Sequence, residues 1–267
     1  MNKIGFIGTG NLAGSILKGL NQRNLDFEIY LNNKTKQKAD ALAQQFNAKS
    51  CSFSEVVAES DVIFLAVKPK DIKGLLNDLS GCSLSGKLII TVAAGIGLSV
   101  YEQALPGVGI VRVMPNTSCA VLQAITGMVR GKYVTDEQAK IAEQIFSAVG
   151  KFLWVEDQKI NAVTAVSGSG PAYFYFFAEM MAQAGVELGL SSEEAIILAR
   201  ETLVGAGKMV AEDSRSPQEL RQAVTSPNGT TYEAIEVFRK EGLNEIVSKA
   251  MEACFKRAVE MEGEYMG

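Results

Sequence analysis

Histidine is absent from this chain of 267 residues. Its absence excludes Ser-His and Cys-His catalytic triads and every metal site that depends on imidazole ligands. Any chemistry must therefore come from carboxylates, hydroxyl groups, lysines, the backbone or a bound cofactor. The formal net charge is −4, and lysine and arginine are scattered along the chain, so the sequence gives no electrostatic footprint for nucleic acid.

The four cysteines are widely spaced, and none belongs to a Cys-x-x-Cys pair. Neither a zinc site nor a disulfide framework is indicated, and each thiol is expected to be a small, at least partly buried hydrophobe. Long apolar runs are also missing, because the longest, residues 88–98, is far shorter than the roughly 20 residues that span a bilayer. The first residues lead directly into a strand pattern rather than a signal peptide, so we expect a cytoplasmic protein with no membrane partner and no bound metal.

The first part of the chain alternates short β-rich runs with amphipathic helical patterns. This alternation predicts a parallel sheet with helices on its faces. The predicted strand 61–67 is apolar without interruption from Val62 to Val67, which fits burial on both sides. After the last predicted strand only helical patterns follow. The chain is therefore expected to be an α/β protein, with a doubly wound sheet in residues 1–158 and an all-helical domain in residues 159–267.

A glycine turn follows the first predicted strand and opens the first predicted helix. It reads Gly8-Thr9-Gly10-Asn11-Leu12-Ala13-Gly14, so Ala13 stands in the place of the third glycine of a G-x-G-x-x-G pattern. The match alone is weak. Its place on the first strand-to-helix turn strengthens it, because glycines there let the backbone approach a pyrophosphate at a helix N-terminus. This context predicts a Rossmann-like domain that binds a dinucleotide.

The end of the second predicted strand lacks the Asp or Glu that binds the ribose 2′-hydroxyl in NAD enzymes. It reads Asn32-Asn33-Lys34-Thr35-Lys36, and its lysines favour a 2′-phosphate. NADPH is therefore favoured as the cofactor, with NADH possible, although the two lysines could merely begin a solvated helix. The turns after three later strands contain Lys68, Ala94 and Asn116, and they are expected to face the cofactor. Lys68 either contacts the cofactor or is simply solvated.

The run Ser226-Pro227-Asn228-Gly229-Thr230-Thr231 precedes a helical pattern and has the composition of an anion pocket. Pro and Gly favour a tight turn, and Thr230 with Glu233 has the spacing of a capping box. The partial positive charge of a helix N-terminus favours a carboxylate there without Arg or Lys. The alternative is a capped helix that binds nothing.

Two helical patterns in the second part, at 172–188 and 193–211, are apolar over much of their surfaces. Helices of this kind are buried inside something, and a domain of about a hundred residues offers little interior for both. We therefore expect a helix-swapped or tightly packed homodimer, although the first domain could cover these helices instead.

Taken together, these segments resemble one family, the pyrroline-5-carboxylate reductases, over nearly the whole chain. The resemblance implies an oxidoreductase that transfers hydride from NAD(P)H to the imine carbon of 1-pyrroline-5-carboxylate, the final step of proline biosynthesis. It also implies a C-terminal dimerisation domain and a homodimer, which in this family often assembles into a ring of dimers. The most specific segments are 61–69, 112–117, 162–173 and 226–231.

The resemblance implies the site residues as well. Thr231 would orient or relay a proton at the ring nitrogen of the substrate, and Asp157 would stabilise the iminium charge. The substrate would be held by Ser226, Gly229, Thr230, Thr231 and Asp157. The cofactor would contact Gly8, Thr9, Gly10, Asn11, Leu12, Asn33, Lys34, Val67, Lys68, Ala94 and Asn116.

Two positions depart from the family pattern. Asn228 stands where the family usually has Gly, and because Asn tolerates a left-handed backbone the turn is expected to survive. Ser52-Phe53-Ser54 stands where many members place an Asn against the adenosine ribose, which leaves the adenosine contacts open.

Two rival functions also use a dinucleotide-binding domain. A 3-hydroxyacid dehydrogenase needs a Lys as acid and base on the helix after the domain junction, and none occurs between Lys159 and Lys208. A non-catalytic NADPH sensor would bind the cofactor without oxidising it.

Overall fold

The structure is a computed structural model that describes residues 2–266, and the side chains of residues 2–264. It divides into two compact units, Met1–Ser169 with Cys254–Gly267, and Gly170–Ala253. The boundary predicted between residues 158 and 159 rests on the change to helical patterns and stays a prediction. Within the described residues, no helix has both the length and the apolar character needed to cross a membrane.

The first unit is built on one sheet of eight strands. They are β1 (Lys3–Ile7), β2 (Glu28–Asn32), β3 (Lys49–Ser50), β4 (Val62–Leu65), β5 (Leu88–Thr91), β6 (Gly109–Met114), β7 (Ala124–Arg130) and β8 (Gly150–Trp154).

The strand order is β3-β2-β1-β4-β5-β6-β7-β8. Neighbours from β3 to β6 are parallel, β7 is antiparallel to β6, and β8 is parallel to β7. The order reverses at β1, because β2 and β3 lie on one side of it and all later strands lie on the other. This is the predicted Rossmann-like arrangement, and ligands of such sheets bind at the carboxyl ends of the strands where the order reverses.

Helices cover both faces of the sheet. They are α1 (Asn11–Gln22), α2 (Lys36–Phe46), α3 (Phe53–Glu59), α4 (Pro69–Ser80), α5 (Leu98–Ala104), α6 (Asp136–Ser147) and the short α7 (Ile160–Val163). Helices α1, α2 and α6 pack on one face, and α3, α4 and α5 pack on the other. A π-helical turn, Thr164–Gly168, follows α7.

Strand β4 explains why the predicted strands are apolar at every position. Val62 and Phe64 enter one core layer, and Ile63 and Leu65 enter the other, so all four side chains are fully buried. The strand is shorter than the predicted 61–67, because the chain turns after Leu65 to reach Pro69, which begins α4.

The second unit is helical, as predicted. It contains α8 (Gly170–Glu187), α9 (Ser192–Glu212), α10 (Pro217–Ala223), α11 (Thr230–Lys240) and the first part of α12 (Leu243–Met266). Capping boxes begin α9 at Ser191 and α10 at Ser216.

Helices α8 and α9 pack on each other through small side chains such as Ala195 and Ala199, which are buried. Many of their large apolar side chains are exposed in the single chain, among them Phe174, Tyr175 and Phe176. Apolar surface on this scale marks an interaction surface rather than a solvated one.

The capping box predicted for Thr230 and Glu233 is wrong. Helix α11 begins at Thr230 itself, its N-cap is Gly229, and no side-chain cap from the described residues is present. The helix starts one residue early because Asn228 takes a left-handed conformation, with φ 57°, and turns the chain directly into Gly229. The turn therefore survives the replacement of Gly by Asn, as predicted.

We expect Asn228→Val to lower the free energy of unfolding by about 1–2 kcal/mol, because a β-branched side chain is disfavoured at positive φ. Asn228→Gly is the matched control and should be as stable as the parent or slightly more stable. The midpoint of urea unfolding measures both. A Val variant as stable as the Gly variant would contradict the left-handed turn.

Candidate active site

A cavity of about 620 Å³ opens at the carboxyl ends of β1, β2 and β4. It lies where the strand order reverses, and α4 forms one wall. The predicted cofactor residues that line it are Gly8, Thr9, Gly10, Asn33, Lys34, Val67 and Lys68. The structure thus brings together residues from three separate turns.

The two glycines of the first turn are needed for different reasons. Gly8 has φ 103°, and a Cβ built on it would lie 2.3 Å from the carbonyl oxygen of Ala66, so the close approach of β1 and β4 requires glycine. A Cβ on Gly10 would meet no described atom within 4 Å. Packing therefore does not require glycine at position 10, and the lack of a side chain there leaves open space in the cavity.

That open space lies at the start of α1. Gly10 is the N-cap of this helix, the described residues supply no side-chain cap, and no acidic residue occupies the first turn. The N–H groups of Asn11 and Leu12 belong to this uncapped turn. The hydroxyl of Thr9 is buried and has no hydrogen-bond partner in the described part of the chain. These donors and the adjacent space fit the pyrophosphate of a dinucleotide.

The end of β2 contributes Asn33 and Lys34. The Asn33 Oδ1 accepts a hydrogen bond from the Thr9 N–H at 3.4 Å, so the first two turns are joined. The Lys34 Nζ lies 2.7 Å from Asp71 Oδ1, and this pairing lowers the pKa of the Asp71 carboxyl. By contrast, Lys36 pairs with Asp40 one turn along α2, so the alternative of a lysine on a solvated helix holds for Lys36.

Ala94 and Asn116 do not line this cavity, but they follow β5 and β6, whose carboxyl ends face the same edge of the sheet. The Asn116 side chain is fixed on both sides. Its Oδ1 accepts from the Ser118 N–H, and its Nδ2 donates to the Ser167 carbonyl in the π-helical turn.

Arg112 is the group that sequence reasoning missed. It lies on β6 with a side chain only 2% exposed, and it is shared by two carboxylates. The Nη1 atom is 2.9 Å from Asp157 Oδ1, and Nη2 is 2.5 Å from Glu262 Oε1. The other oxygen of Glu262 accepts from Asn161 Nδ2 at 2.9 Å. One cation and two carboxylates leave this cluster with a net negative charge.

The clue to this cluster is the single Arg in the otherwise apolar strand β6, because a buried charge must be paired. Its partners follow β8 and lie near the end of α12, so no local pattern identified them. Asp157 is therefore a carboxylate held against a buried cation rather than an isolated one, and it remains partly exposed.

Two other buried groups near the sheet stay protonated. Burial raises the pKa of Tyr101 to about 12 and that of Cys119 to about 11. Cys119 is thus an inert thiol, in line with the expectation from the sequence. Across residues 2–264, no three acidic or thiol side chains converge in a way that would hold a metal ion.

The predicted substrate loop lies in the second unit. The Ser226 carbonyl accepts from the Gly229 N–H at 3.0 Å, which closes the turn before α11. Ser226, Thr230 and Thr231 are exposed in the single chain. The uncapped first turn of α11 leaves backbone N–H groups beside the two threonine hydroxyls. This arrangement fits a small carboxylate.

Comparison with known protein families gives one match in each part of the chain. The profile described as "Pyrroline-5-carboxylate reductase dimerisation" matches residues 157–261, and "NADP oxidoreductase coenzyme F420-dependent" matches residues 3–95. A pyrroline-5-carboxylate reductase from Pseudomonas aeruginosa is 38% identical over 97% of this chain and 96% of its own length. The chain belongs to the pyrroline-5-carboxylate reductase family.

Solved structures agree. A pyrroline-5-carboxylate reductase from Coxiella burnetii superimposes with a TM-score of 0.92 at 37% identity, over 97% of each chain. The pyrroline carboxylate reductase of Plasmodium falciparum, solved with NADP bound, gives a TM-score of 0.83 at 28% identity, over 97% of this chain and 98% of that one. The family, the fold class and the enzyme class predicted from the sequence are confirmed.

The two glycines allow a paired test. Gly10→Ala should fold normally and lose NADPH affinity by at least about tenfold, because its methyl group occupies the space beside the uncapped helix start. Gly8→Ala should instead lower stability, because the new Cβ collides with the Ala66 carbonyl at positive φ. Thermal unfolding and a fluorescence titration with NADPH separate the two effects. Unchanged NADPH affinity in Gly10→Ala would place the cofactor elsewhere.

Proposed function

We propose that this chain reduces 1-pyrroline-5-carboxylate to proline, with NADPH as the preferred hydride donor and NADH as a possible one. The observation that carries the proposal is the cavity at the strand reversal, with its open glycine and uncapped helix start, in a member of this family. A bound nicotinamide would supply the hydride, and because the imine reacts in its protonated form, the protein needs no strong acid of its own.

The cofactor site is assigned to the first unit. The backbone of residues 8–12 and the Thr9 hydroxyl hold the pyrophosphate at the start of α1. Asn33 and Lys34 face the adenosine ribose, where Lys34 attracts a 2′-phosphate. Val67 and Lys68 form the opposite wall. Ala94 and Asn116 continue the same edge of the sheet, where the nicotinamide half of the cofactor would lie.

The substrate carboxylate is assigned to the loop before α11. Ser226, Gly229 and Thr230 offer hydroxyl and N–H donors, and the uncapped helix start adds partial positive charge. Thr231 follows in the first turn, with its hydroxyl exposed. We assign that hydroxyl to the ring nitrogen, where it orients the imine or relays a proton.

Asp157 is assigned the role of stabilising the protonated imine. Its carboxylate is fixed by Arg112, and the cluster with Glu262 keeps a net negative charge. This charge favours the cationic iminium form of the substrate over the neutral imine. A protonated imine is already electrophilic. Positioning and electrostatics therefore suffice for hydride transfer in a protein without histidine.

The exposed apolar faces of α8 and α9 support a homodimer. They enclose a groove of about 500 Å³ lined by Tyr175, Val186, Ile196 and Leu203, and the matching profile is that of a dimerisation domain. Burial of these faces against a second copy would remove the apolar surface from water. Further assembly into a ring of dimers and a cytoplasmic location complete the proposal.

The reaction is tested by adding 1-pyrroline-5-carboxylate to the protein with NADPH and following the loss of NADPH absorbance and the formation of proline. Binding of NADPH without oxidation would favour the sensor instead. Absence of both binding and oxidation would remove the cofactor assignment.

Thr231→Val keeps the shape of the side chain and removes its hydroxyl. We expect kcat/KM for 1-pyrroline-5-carboxylate to fall by about tenfold or more, because a hydrogen bond at the reacting nitrogen is lost. NADPH affinity should not change. Thr231→Ser is the control, because it keeps the hydroxyl and should retain most of the activity. Equal turnover in the Val and Ser variants would exclude the hydroxyl from the mechanism.

A further inference from the structure

The end of β2 carries a lysine where many dinucleotide enzymes carry a carboxylate, yet a carboxylate is present in the cavity. Asp78 of α4 lines the cavity as well, but the carboxylate that pairs with Lys34 is Asp71, in the first turn of the same helix. The two residues are 37 positions apart in sequence, and their charged atoms lie 2.7 Å apart. The fold therefore places an acidic group in this wall of the cavity, although the second strand does not end in one.

The pair is only partly shielded from water. The Lys34 side chain is 83% exposed, whereas that of Asp71 is 29% exposed. Asp71 is the more fixed partner, since it is held in a helix, and the start of α4 and the pairing with Lys34 both favour its charged form. Lys34 is the mobile partner, since a long exposed side chain can turn toward a ligand or back to Asp71.

The charge that meets the adenosine ribose therefore depends on both residues. Lys34 alone would present a positive charge that favours a 2′-phosphate. Paired with Asp71, Lys34 contributes nearly no net charge, although Lys68 and Lys70 also line the cavity. A 2′-phosphate must separate Lys34 from Asp71, and it then lies close to the Asp71 carboxylate. A ribose with a free 2′-hydroxyl meets no such penalty and can donate to the carboxylate.

We propose that Asp71 is a specificity-determining residue, which offsets Lys34 and thereby reduces the preference of this chain for NADPH over NADH. The inference rests on the proposed function, because it takes the cavity to be the cofactor site. Lys34 and Asp71 have opposite effects on the binding of a 2′-phosphate. Together they determine the ratio of the affinities for NADPH and NADH.

The test uses adenosine fragments, which report on this end of the cofactor without any turnover. Adenosine 2′,5′-bisphosphate carries the 2′-phosphate, and 5′-ADP lacks it. Isothermal titration measures both dissociation constants for the parent, Asp71→Asn and Lys34→Gln. Asp78→Asn is the matched control, because Asp78 lies on the same helix and lines the same cavity.

We expect Asp71→Asn to bind the bisphosphate roughly three- to tenfold more tightly, and 5′-ADP with equal or weaker affinity. Lys34→Gln should weaken the bisphosphate by a similar factor, because Asp71 is then unopposed. Asp78→Asn should change the ratio of the two affinities less than Asp71→Asn does. NADPH and NADH should follow the same order as their fragments, and the differences should shrink at high salt.

An unchanged ratio in Asp71→Asn, with both probes still bound, would overturn the role of Asp71 and leave the cofactor site intact. An equal gain from Asp78→Asn would also overturn it, since the effect would then be one of general charge. Failure of the parent to bind either fragment, or either whole cofactor, would refute the cofactor site itself and the role of Asp71 with it.

Discussion

The reversal of strand order at β1 is the constraint on which the candidate site depends. Because β2 and β4 flank β1 and run parallel to it, three turns open at the same edge of the sheet. Their closeness is set by backbone contact, since Gly8 lies against the Ala66 carbonyl and leaves no room for a side chain. The site is therefore a consequence of sheet topology, and its residues add chemistry to a cleft that the fold already provides.

A second constraint acts through charge. Arg112 is buried on a central strand, and an unpaired guanidinium there would be strongly unfavourable. Two carboxylates satisfy it, one just after β8 and the other near the end of α12, so residues 45 and 150 positions away are tied to the same strand. This explains why the end of α12 belongs to the compact unit of the sheet rather than to the helical unit. It also gives Asp157 a fixed position, which a carboxylate on a flexible segment would lack.

Much of this architecture could be predicted from local patterns. The glycine turn, the strands buried on both faces and the capping boxes of α6, α9 and α10 each depend on a few neighbouring residues. The box at Thr230 failed for an equally local reason, because the spacing of Thr and Glu does not fix which residue leaves the helical conformation first. The left-handed backbone of Asn228 comes just before Gly229, the N-cap, and the helix begins at Thr230. The roles of Ser226, Thr231 and Asp157 stay predictions, since they depend on a bound substrate.

The ion pairs that sequence reasoning missed share a physical origin. The pairs of Arg112 with Asp157 and of Lys34 with Asp71 join side chains from separate elements, and no periodicity records such a contact. They matter here because the chain has no histidine, so its electrostatics must be built from carboxylates, cations and helix starts. A cyclic imine that is protonated brings its own positive charge to the reaction. What the protein must supply is slight negative charge near the imine and slight positive charge at the phosphates. The cluster of Arg112 contains two carboxylates and one cation and so carries negative charge, whereas the Lys34–Asp71 pair is balanced. The positive charge at the phosphates therefore comes mainly from the uncapped start of α1.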